Sequence, residues 1–333
     1  MMKNSETKSE HQIELFARIR KMLPAYQALA DVIGDLFGIS EDAVYRRIRG
    51  TKLMDIEETI KLCQYFGISL DSVVGVTGDE KFVCTYAPRH LRNIEEYVNF
   101  AQSFSAEIER LRGMPEIEIL LSAADIPVFN FLSYREMTLF YTFSWYKNLC
   151  GFSAGYDEFL QQIDVEQLAK NCKKVVNNYL FIPSCEIWTT HTIDSTMRLI
   201  TYHTEMEHFR DNTIPLLLCE QLSDMMDQMQ TWTEKGTKGE NESPFKFYVS
   251  EIDIGNTFIL FKNAAFTSCM VKLFMINGLS VSSEHFCNET EHWLSNLIKR
   301  STPISGTSEK ERHKFFSTQQ QKIKQLRNEL NLK

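Results

Sequence analysis

The residues whose types and spacing could do chemistry are polar and cationic, and they lie close together in the first fifth of the chain. Tyr45, Arg46, Arg47, Arg49 and Lys52 fall within eight positions. A guanidinium group can donate two hydrogen bonds to a guanine edge, and a tyrosine can contact a phosphate or a thymine methyl group. A lysine just beyond them is suited to the phosphate backbone. This segment therefore predicts a contact with double-stranded DNA.

A helix, a three-residue turn and a second helix must position these side chains. Gly34 precedes Gly38 by four residues, so a small residue lies where two helices would cross closely, and Gly38 can adopt the left-handed conformation that ends the first helix. Ser40 is placed to N-cap the second helix, with Glu41 and Asp42 near its positive end. The pattern is typical of a helix-turn-helix.

The 3.6-residue period of the second helix orients its side chains. If Val44 and Ile48 face inward, then Glu41, Asp42, Tyr45, Arg46 and Arg49 face outward, and Arg47 lies nearer the flank. The predicted DNA-binding residues are Ser40, Glu41, Asp42, Tyr45, Arg46, Arg47, Arg49 and Lys52.

This segment resembles the lambda-repressor/Cro-like helix-turn-helix regulators, in particular the variant of Bacteroidota proteins with a Tyr-Arg-Arg-Ile-Arg-Gly sequence, here Tyr45 to Gly50. The resemblance covers residues 13–75, and it includes the sequence from Phe66 to Asp71. It implies a five-helix DNA-binding domain whose second and third helices form the motif, followed by a large C-terminal region. One departure is Arg47, which occupies a position where the family commonly places an apolar residue.

Apolar spacing and capping signals predict the neighbouring helices. Residues 1–12 are polar and predict a disordered arm. Asp55 and Glu58 predict a capping box for a fourth helix, and its predicted inward residues are Ile56, Ile60, Cys63 and Phe66. Ser69 can start a short fifth helix that ends near Gly75. The predicted DNA-binding domain is residues 13–78.

Composition and apolar pattern divide the rest of the chain into two regions. Residues 85–233 are rich in aromatic residues and predict a helical regulatory or oligomerisation region. Residues 244–333 predict an α+β region, with a β-hairpin formed by 245–254 and 257–262, a further strand within 264–276, and helices over 284–299 and 308–330. The expected fold class is mainly α: a five-helix bundle, a larger helical region and a C-terminal α+β part.

Composition limits the function classes. The chain has 333 residues, which suits two or three domains, and its net charge of −8 argues against a protein that coats nucleic acid or binds membranes through basic residues. Residues 13–75 hold eight basic and nine acidic side chains, but four of the eight basic ones lie within 46–52, so any DNA contact must be local. Eight cysteines without a CxxC pair indicate reduced thiols and a cytoplasmic location.

Three other patterns could indicate a functional site. Gly151, Ser153 and Gly155 match the GxSxG sequence of serine hydrolases, but a helical run precedes them where a strand is needed. His203, Glu205 and His208 could suggest a metal site, yet an i, i+5 spacing would put the two histidines on different helix faces, so no metal or cofactor is expected. The aromatic residues of 129–146 and the segment 183–188 could line a ligand pocket, although packing in an ordinary hydrophobic core is favoured. Asp125 could cap a helix or form a local hydrogen bond.

The leading hypothesis is a non-enzymatic, sequence-specific DNA-binding transcription regulator. It is expected to act as a homodimer, because one short recognition helix reads few base pairs and two half-sites share the work. Residues 85–333 would serve dimerisation or input from a small-molecule or protein effector. A protein-interaction scaffold that uses the arginine-rich helix is the alternative, and a serine hydrolase is the third reading.

Overall fold

The computed structural model describes residues 9–23, 28–66, 68, 70, 84–86, 93–273 and 278–332. The chain divides into two compact units, Met1–Val83 and Cys84–Lys333. None of the helices in these described ranges combines the length and apolar character that crossing a membrane requires.

The N-terminal unit is built from short amphipathic helices. They are α1 (Glu10–Met22), α2 (Leu29–Phe37), α3 (Glu41–Ile48) and α4 (Ile56–Phe66). Each contributes one apolar face to a shared core, which includes Phe16 and Ile19 of α1, Ile33 of α2, Val44 of α3 and Leu62 of α4. Because no helix could bury its face alone, the four stabilise one another.

The N-terminal unit differs from its prediction in three places. Residues 10–12 belong to α1 instead of a disordered arm, and Gln12 is buried. Ile56 and Ile60 are exposed, and Leu62 and Cys63 fill the core, so α4 is rotated relative to its predicted face. The five-helix bundle is not what is observed: the described part of this unit contains four helices, and most of the predicted fifth helix, 69–75, lies outside the described residues.

The C-terminal unit alternates helices and strands. Its helices are α5 (Ile94–Arg112), α6 (Val128–Phe131), α7 (Arg135–Cys150), α8 (Tyr156–Leu160), α9 (Val165–Leu180), α10 (Asp194–Glu205), α11 (Thr213–Lys235), α12 (Glu284–Lys299) and α13 (Glu309–Asn331). Its strands are β1 (Thr85–Tyr86), β2 (Glu118–Ser122), β3 (Ser184–Thr189), β4 (Thr237–Lys238), β5 (Ser243–Ser250), β6 (Phe258–Lys262), β7 (Thr267–Lys272), β8 (Gly278–Val281) and β9 (Thr302–Pro303).

The strands form one mixed sheet, with nine strands among the described residues. The order is β1-β8-β7-β6-β2-β3-β5-β4, and β9 pairs with β5. The three central strands β2, β3 and β5 are parallel, as the helical connections between them require, with Ile119 opposite Ser184 and Ser184 opposite Phe245. On the other side of β2, the strands β6, β7 and β8 are antiparallel.

The sheet corrects the predicted fold class. Strands β2 and β3 lie inside the region predicted to be helical, so residues 84–333 form one mixed α/β unit instead of a helical region followed by an α+β part. The predicted hairpin is also wrong: β5 and β6 are strands, but β2 and β3 lie between them. The hairpin is formed by β6 and β7, which places a strand within 264–276 as predicted.

Side-chain alternation along β2 divides the core between the two faces of the sheet. Ile119 and Leu121 belong to a large core with α5, α7, α9, α11 and α13. Leu120 belongs to a smaller core on the opposite face, covered by α12. Helix α7 is buried on all sides from Glu136 to Trp145, which accounts for its aromatic sequence.

Candidate nucleic-acid interface

The turn between α2 and α3 has the predicted backbone. Gly38 ends α2 with a left-handed φ of 66°, and its N–H donates to the carbonyl of Gly34 at 2.8 Å. A Cβ atom on Gly34 would lie 3.3 Å from the carbonyl oxygen of Ile39, so a larger side chain would press on the turn. Both glycines therefore have the roles that their spacing predicts.

The start of α3 is exposed and acidic. Ser40 takes the N-cap position with extended backbone (φ −67°, ψ 153°), but its hydroxyl makes no capping hydrogen bond. Glu41 and Asp42 follow in the first turn, where the helix dipole favours carboxylates. All three side chains are exposed. They are therefore free to meet a partner of this helix.

The outer face of α3 carries the aromatic ring and the cations. Tyr45 is 44% exposed, and Arg46, Arg49 and Lys52 are exposed as well. The Arg49 Nε donates to the carbonyl oxygen of Tyr45 at 3.3 Å, which holds the guanidinium against the end of the helix. The cations lie in the second half of α3 and just after it, at the end opposite to the carboxylates.

Arg47 is a correction to the predicted set. The residue is buried, with 3% of its total surface exposed. The guanidinium donates to both carboxylate oxygens of Glu58 in α4, at 2.5 and 3.2 Å, and to the carbonyl of Ala43 at 3.2 Å. Arg47 therefore fills an inward position beside Val44, and its guanidinium is buried against α4 instead of exposed on the outer face of α3.

Because Glu58 pairs with Arg47, the predicted capping box of α4 is only partly formed. The N–H of Glu58 donates to the Asp55 carboxylate at 2.8 Å, as a helix N-cap requires. The Glu58 side chain turns to Arg47 instead of returning to the N-cap backbone. Half of the capping box is therefore formed, and its other half joins α4 to α3.

Gln12 supports the interface and was missed by sequence reasoning. Its amide Nε2 donates to the carbonyls of Arg47 and Lys52 at 2.7 and 2.9 Å, and its Oε1 accepts from the N–H of Met54 at 2.9 Å. One buried side chain of α1 thus fixes the segment that follows α3. A polar residue in a polar N-terminal stretch carries no local signal of this role.

The GxSxG match lies between two helices. Helix α7 precedes it and ends at Gly151, whose φ is 65°, and α8 follows. The Lys147 Nζ donates to the carbonyls of Phe152, Ser153 and Ala154 at 2.9 to 3.2 Å and so holds the loop. A nucleophile elbow needs a strand before the serine. These residues lack that context.

The histidine pair is brought together, contrary to prediction. Helix α10 ends at Glu205, and the chain turns back so that the Nδ1 atoms of His203 and His208 lie 2.8 Å apart. The Nε2 of His203 lies 3.1 Å from the Ser144 hydroxyl. Burial, with His208 and Lys147 nearby, lowers the pKa of His203 to about 4. Over the residues described, no three histidine, cysteine or acidic side chains are grouped to hold a metal ion.

A second buried polar group underlies the central strands. The Glu186 carboxylate accepts from Tyr179 and, at 2.8 Å, from the Trp188 Nε1. The Lys238 Nζ donates to the Ser184 hydroxyl at 2.6 Å and lies 3.2 Å from the centre of the Tyr179 ring. Burial raises the pKa of Glu186 and lowers that of Lys238 well below its usual value. The 183–188 segment is therefore core, as favoured from the sequence.

The aromatic stretch 129–146 divides between core and cavity. Phe129, Phe140 and Phe143 are packed in the main core, and Phe131 and Trp145 belong to the same core and also line a cavity. Comparison of the chain with protein-family models, curated proteins and solved structures gives no match. The functional argument consequently depends on the geometry of the chain itself.

Proposed function

We propose that this protein is a sequence-specific DNA-binding transcription regulator that places α3 in the major groove. The observation that carries the proposal is one exposed surface formed by Tyr45 and Arg46 of α3 and by Arg49, the residue that ends this helix. Helix α3 is the second helix of a helix-turn-helix whose turn begins at Gly38. The resemblance to lambda-repressor/Cro-like regulators supports the same function.

Each exposed side chain has a distinct part in the proposed contact. Arg46 and Arg49 are three residues apart on one helix face, so both guanidinium groups reach base edges from the same side. Tyr45 contacts a phosphate or a thymine methyl group, and Lys52 neutralises a phosphate and fixes the register. Arg47 is left out of the contact because it is paired with Glu58.

Two copies are proposed to act together. A single α3 reads only a few base pairs, and helix-turn-helix dimers place two recognition helices about 34 Å apart on one side of the duplex. The Cys84–Lys333 unit would then serve dimerisation or signal input. None of the eight cysteines, all of which lie in the described ranges, forms a disulfide; this supports a reducing compartment, and we place the regulator in the cytoplasm.

The test is selection of bound sequences from a randomised duplex library, followed by mobility-shift titration at fixed salt. Arg46→Ala and Arg49→Ala are each expected to weaken binding to the selected site by about tenfold or more, because each removes a bidentate contact worth about 1–3 kcal/mol. Binding to unrelated DNA should change much less.

Arg18→Ala is the matched control, since Arg18 is a partly exposed arginine on α1 that pairs with Glu14 in a surface ion pair. It should leave the affinity for the selected site unchanged. Enrichment of no sequence, or equal binding by wild type and both α3 variants, would exclude the proposal.

The protein-interaction scaffold remains the second candidate because of the acidic start of α3. Glu41 and Asp42 are exposed, and their carboxylates would repel DNA phosphates. A partner protein with a basic surface would attract the same two carboxylates. Pull-down after nuclease treatment separates the two functions. A partner retained by wild type and lost in Glu41→Gln/Asp42→Asn would favour the scaffold over the DNA-reading regulator.

A further inference from the structure

A cavity lies in the C-terminal unit between α5 and the antiparallel part of the sheet. It encloses about 150 Å³ and is partly open. Residues of α5, α6, α7 and α9 form one side, and β6, β7 and β8 form the other. An apolar cavity of about this size can hold one benzene ring, so the space suits a single ring or a branched aliphatic group.

The walls of this cavity are aromatic. Tyr97, Phe100 and Phe104 follow the helical period along one face of α5, and the rings of Phe100 and Phe104 are stacked with centroids 6.0 Å apart. The ring centroid of Trp145 lies 6.0 Å from that of Tyr97 and 6.2 Å from that of Phe131. Such walls favour an aromatic ring, which gains contacts beyond the burial of its area.

The cavity lining contains one pair of opposite charges. The Lys272 ammonium group pairs with the Asp125 carboxylate, which also accepts from the Thr257 hydroxyl at 3.2 Å. The side chain of Lys272 is 30% exposed and that of Asp125 is 29% exposed. An ammonium group has three donors and a carboxylate has about four acceptor positions, so both groups retain hydrogen-bonding capacity.

The sheet topology brings these three residues together. Asp125 follows the carboxyl end of β2, and Thr257 precedes β6, whose first residue Phe258 pairs with Ser122 at that end of β2. Lys272 ends β7, and its N–H donates to the carbonyl of Thr257 at 2.9 Å. The chain runs from β2 to β3 and β5 on one side and returns to β6 on the other. A crevice at the carboxyl end of a strand where the connections reverse is a common ligand position in open sheets.

We propose that this cavity binds a free amino acid with an aromatic side chain. The ring lies among Phe100, Phe131 and Trp145, the ammonium group bonds to Asp125, and the carboxylate bonds to Lys272. A zwitterion satisfies both members of the pair and adds no net charge, whereas a ligand with a single charge would repel one member. The inference is independent of DNA binding, because it concerns the C-terminal unit and is tested without DNA.

The first test is calorimetric titration of the full-length protein with L-phenylalanine near neutral pH. Saturable binding of one molecule per chain is expected. Three analogues each lack one feature: phenethylamine has no carboxylate, 3-phenylpropionate has no ammonium group, and L-alanine has no ring. Each should bind at least about tenfold more weakly, since a hydrogen bond to a charged group or the burial of a ring is lost.

The second test uses variants of the charged pair. Asp125→Asn and Lys272→Met should each weaken phenylalanine binding by about tenfold or more. The control is Lys262→Met at the other end of β6, where Lys262 pairs with Glu118 and Glu291 and does not line the cavity. Circular dichroism of each variant checks that the fold is kept.

The cavity itself is tested by Ala101→Leu. Ala101 lies on α5 and lines the space, so the added carbons would occupy it and abolish binding. Absence of saturable binding by L-phenylalanine would overturn the proposal. Equal affinity of the single-charge analogues, or unchanged affinity in both Asp125→Asn and Lys272→Met, would overturn the zwitterion assignment.

Discussion

The ion pair between Arg47 and Glu58 is the residue-scale feature that defines the α3 surface. It withdraws one of three neighbouring arginines from the outer face and uses it to join α3 to α4. The side chain of Arg47 is 4% exposed and that of Glu58 is 23% exposed. A buried guanidinium that loses its carboxylate still bears the cost of desolvation. Removal of one partner therefore lowers the free energy of unfolding by more than the intact pair contributes to it.

Glu58→Ala is therefore expected to destabilise the N-terminal unit by about 2–3 kcal/mol, because Arg47 would remain buried without its partner. The double variant Arg47→Met/Glu58→Met should recover most of that loss, since two apolar side chains can replace the pair. Native-state hydrogen exchange of peptides from residues 28–66 measures both effects. Equal protection in wild type and Glu58→Ala would contradict this account of Arg47.

At the scale of elements, the turn between α2 and α3 sets the angle at which α3 is presented. Gly38 has a positive φ, and nothing lies within 4 Å of the position of an added Cβ atom. A substitution there is therefore opposed by backbone strain alone. This isolates the conformational cost from any steric contact.

Gly38→Ala should destabilise the N-terminal unit by about 1–2 kcal/mol, the cost of a left-handed conformation in a residue with a Cβ atom. Gly38→Asn is the control and should cost less, since asparagine tolerates this region. Hydrogen exchange of α2 and α3 gives the measurement. If alanine and asparagine had the same effect as no substitution, the left-handed turn would not be required.

The helices also show which structural features a local sequence pattern can predict and which it cannot. Helix ends at Gly38 and the cap at Asp55 depend on residues a few positions apart, so a local pattern is sufficient to predict them. The inward position of Arg47 depends on a partner eleven residues away. The contact between His203 and His208 depends on where α10 ends, and a helical projection continued past Glu205 gives the wrong faces.

At the scale of the whole molecule, the two units can be followed separately. All four tryptophans, at positions 145, 188, 232 and 293, belong to the Cys84–Lys333 unit, so tryptophan fluorescence reports the unfolding of that unit. This unit contains the buried His203, whose pKa is lowered from 6.5 to about 4. Its stability should therefore depend on pH in a defined direction.

Between pH 6.5 and 4 the unfolded chain binds a proton at His203 that the folded chain does not. Stability should therefore fall as pH falls through this window, by about 3 kcal/mol for this group. His203→Gln should lose less stability than wild type between pH 7 and 4, as measured by denaturant unfolding followed by tryptophan fluorescence. His285→Gln, at an exposed position on α12, is the control and should follow the wild-type pH dependence.

The sequence by itself determined the short-range features of this protein: the helix-turn-helix, its two glycines, the exposed tyrosine and arginines, and the last two long helices. Only the tertiary structure decided the pairing of the strands, the burial of Arg47, the contact between His203 and His208, and the cavity lined by Asp125 and Lys272. The physical reason is separation along the chain. Capping and helical periodicity act within a few residues, whereas β2 pairs with β6 across more than a hundred positions, and no local pattern specifies such a partner.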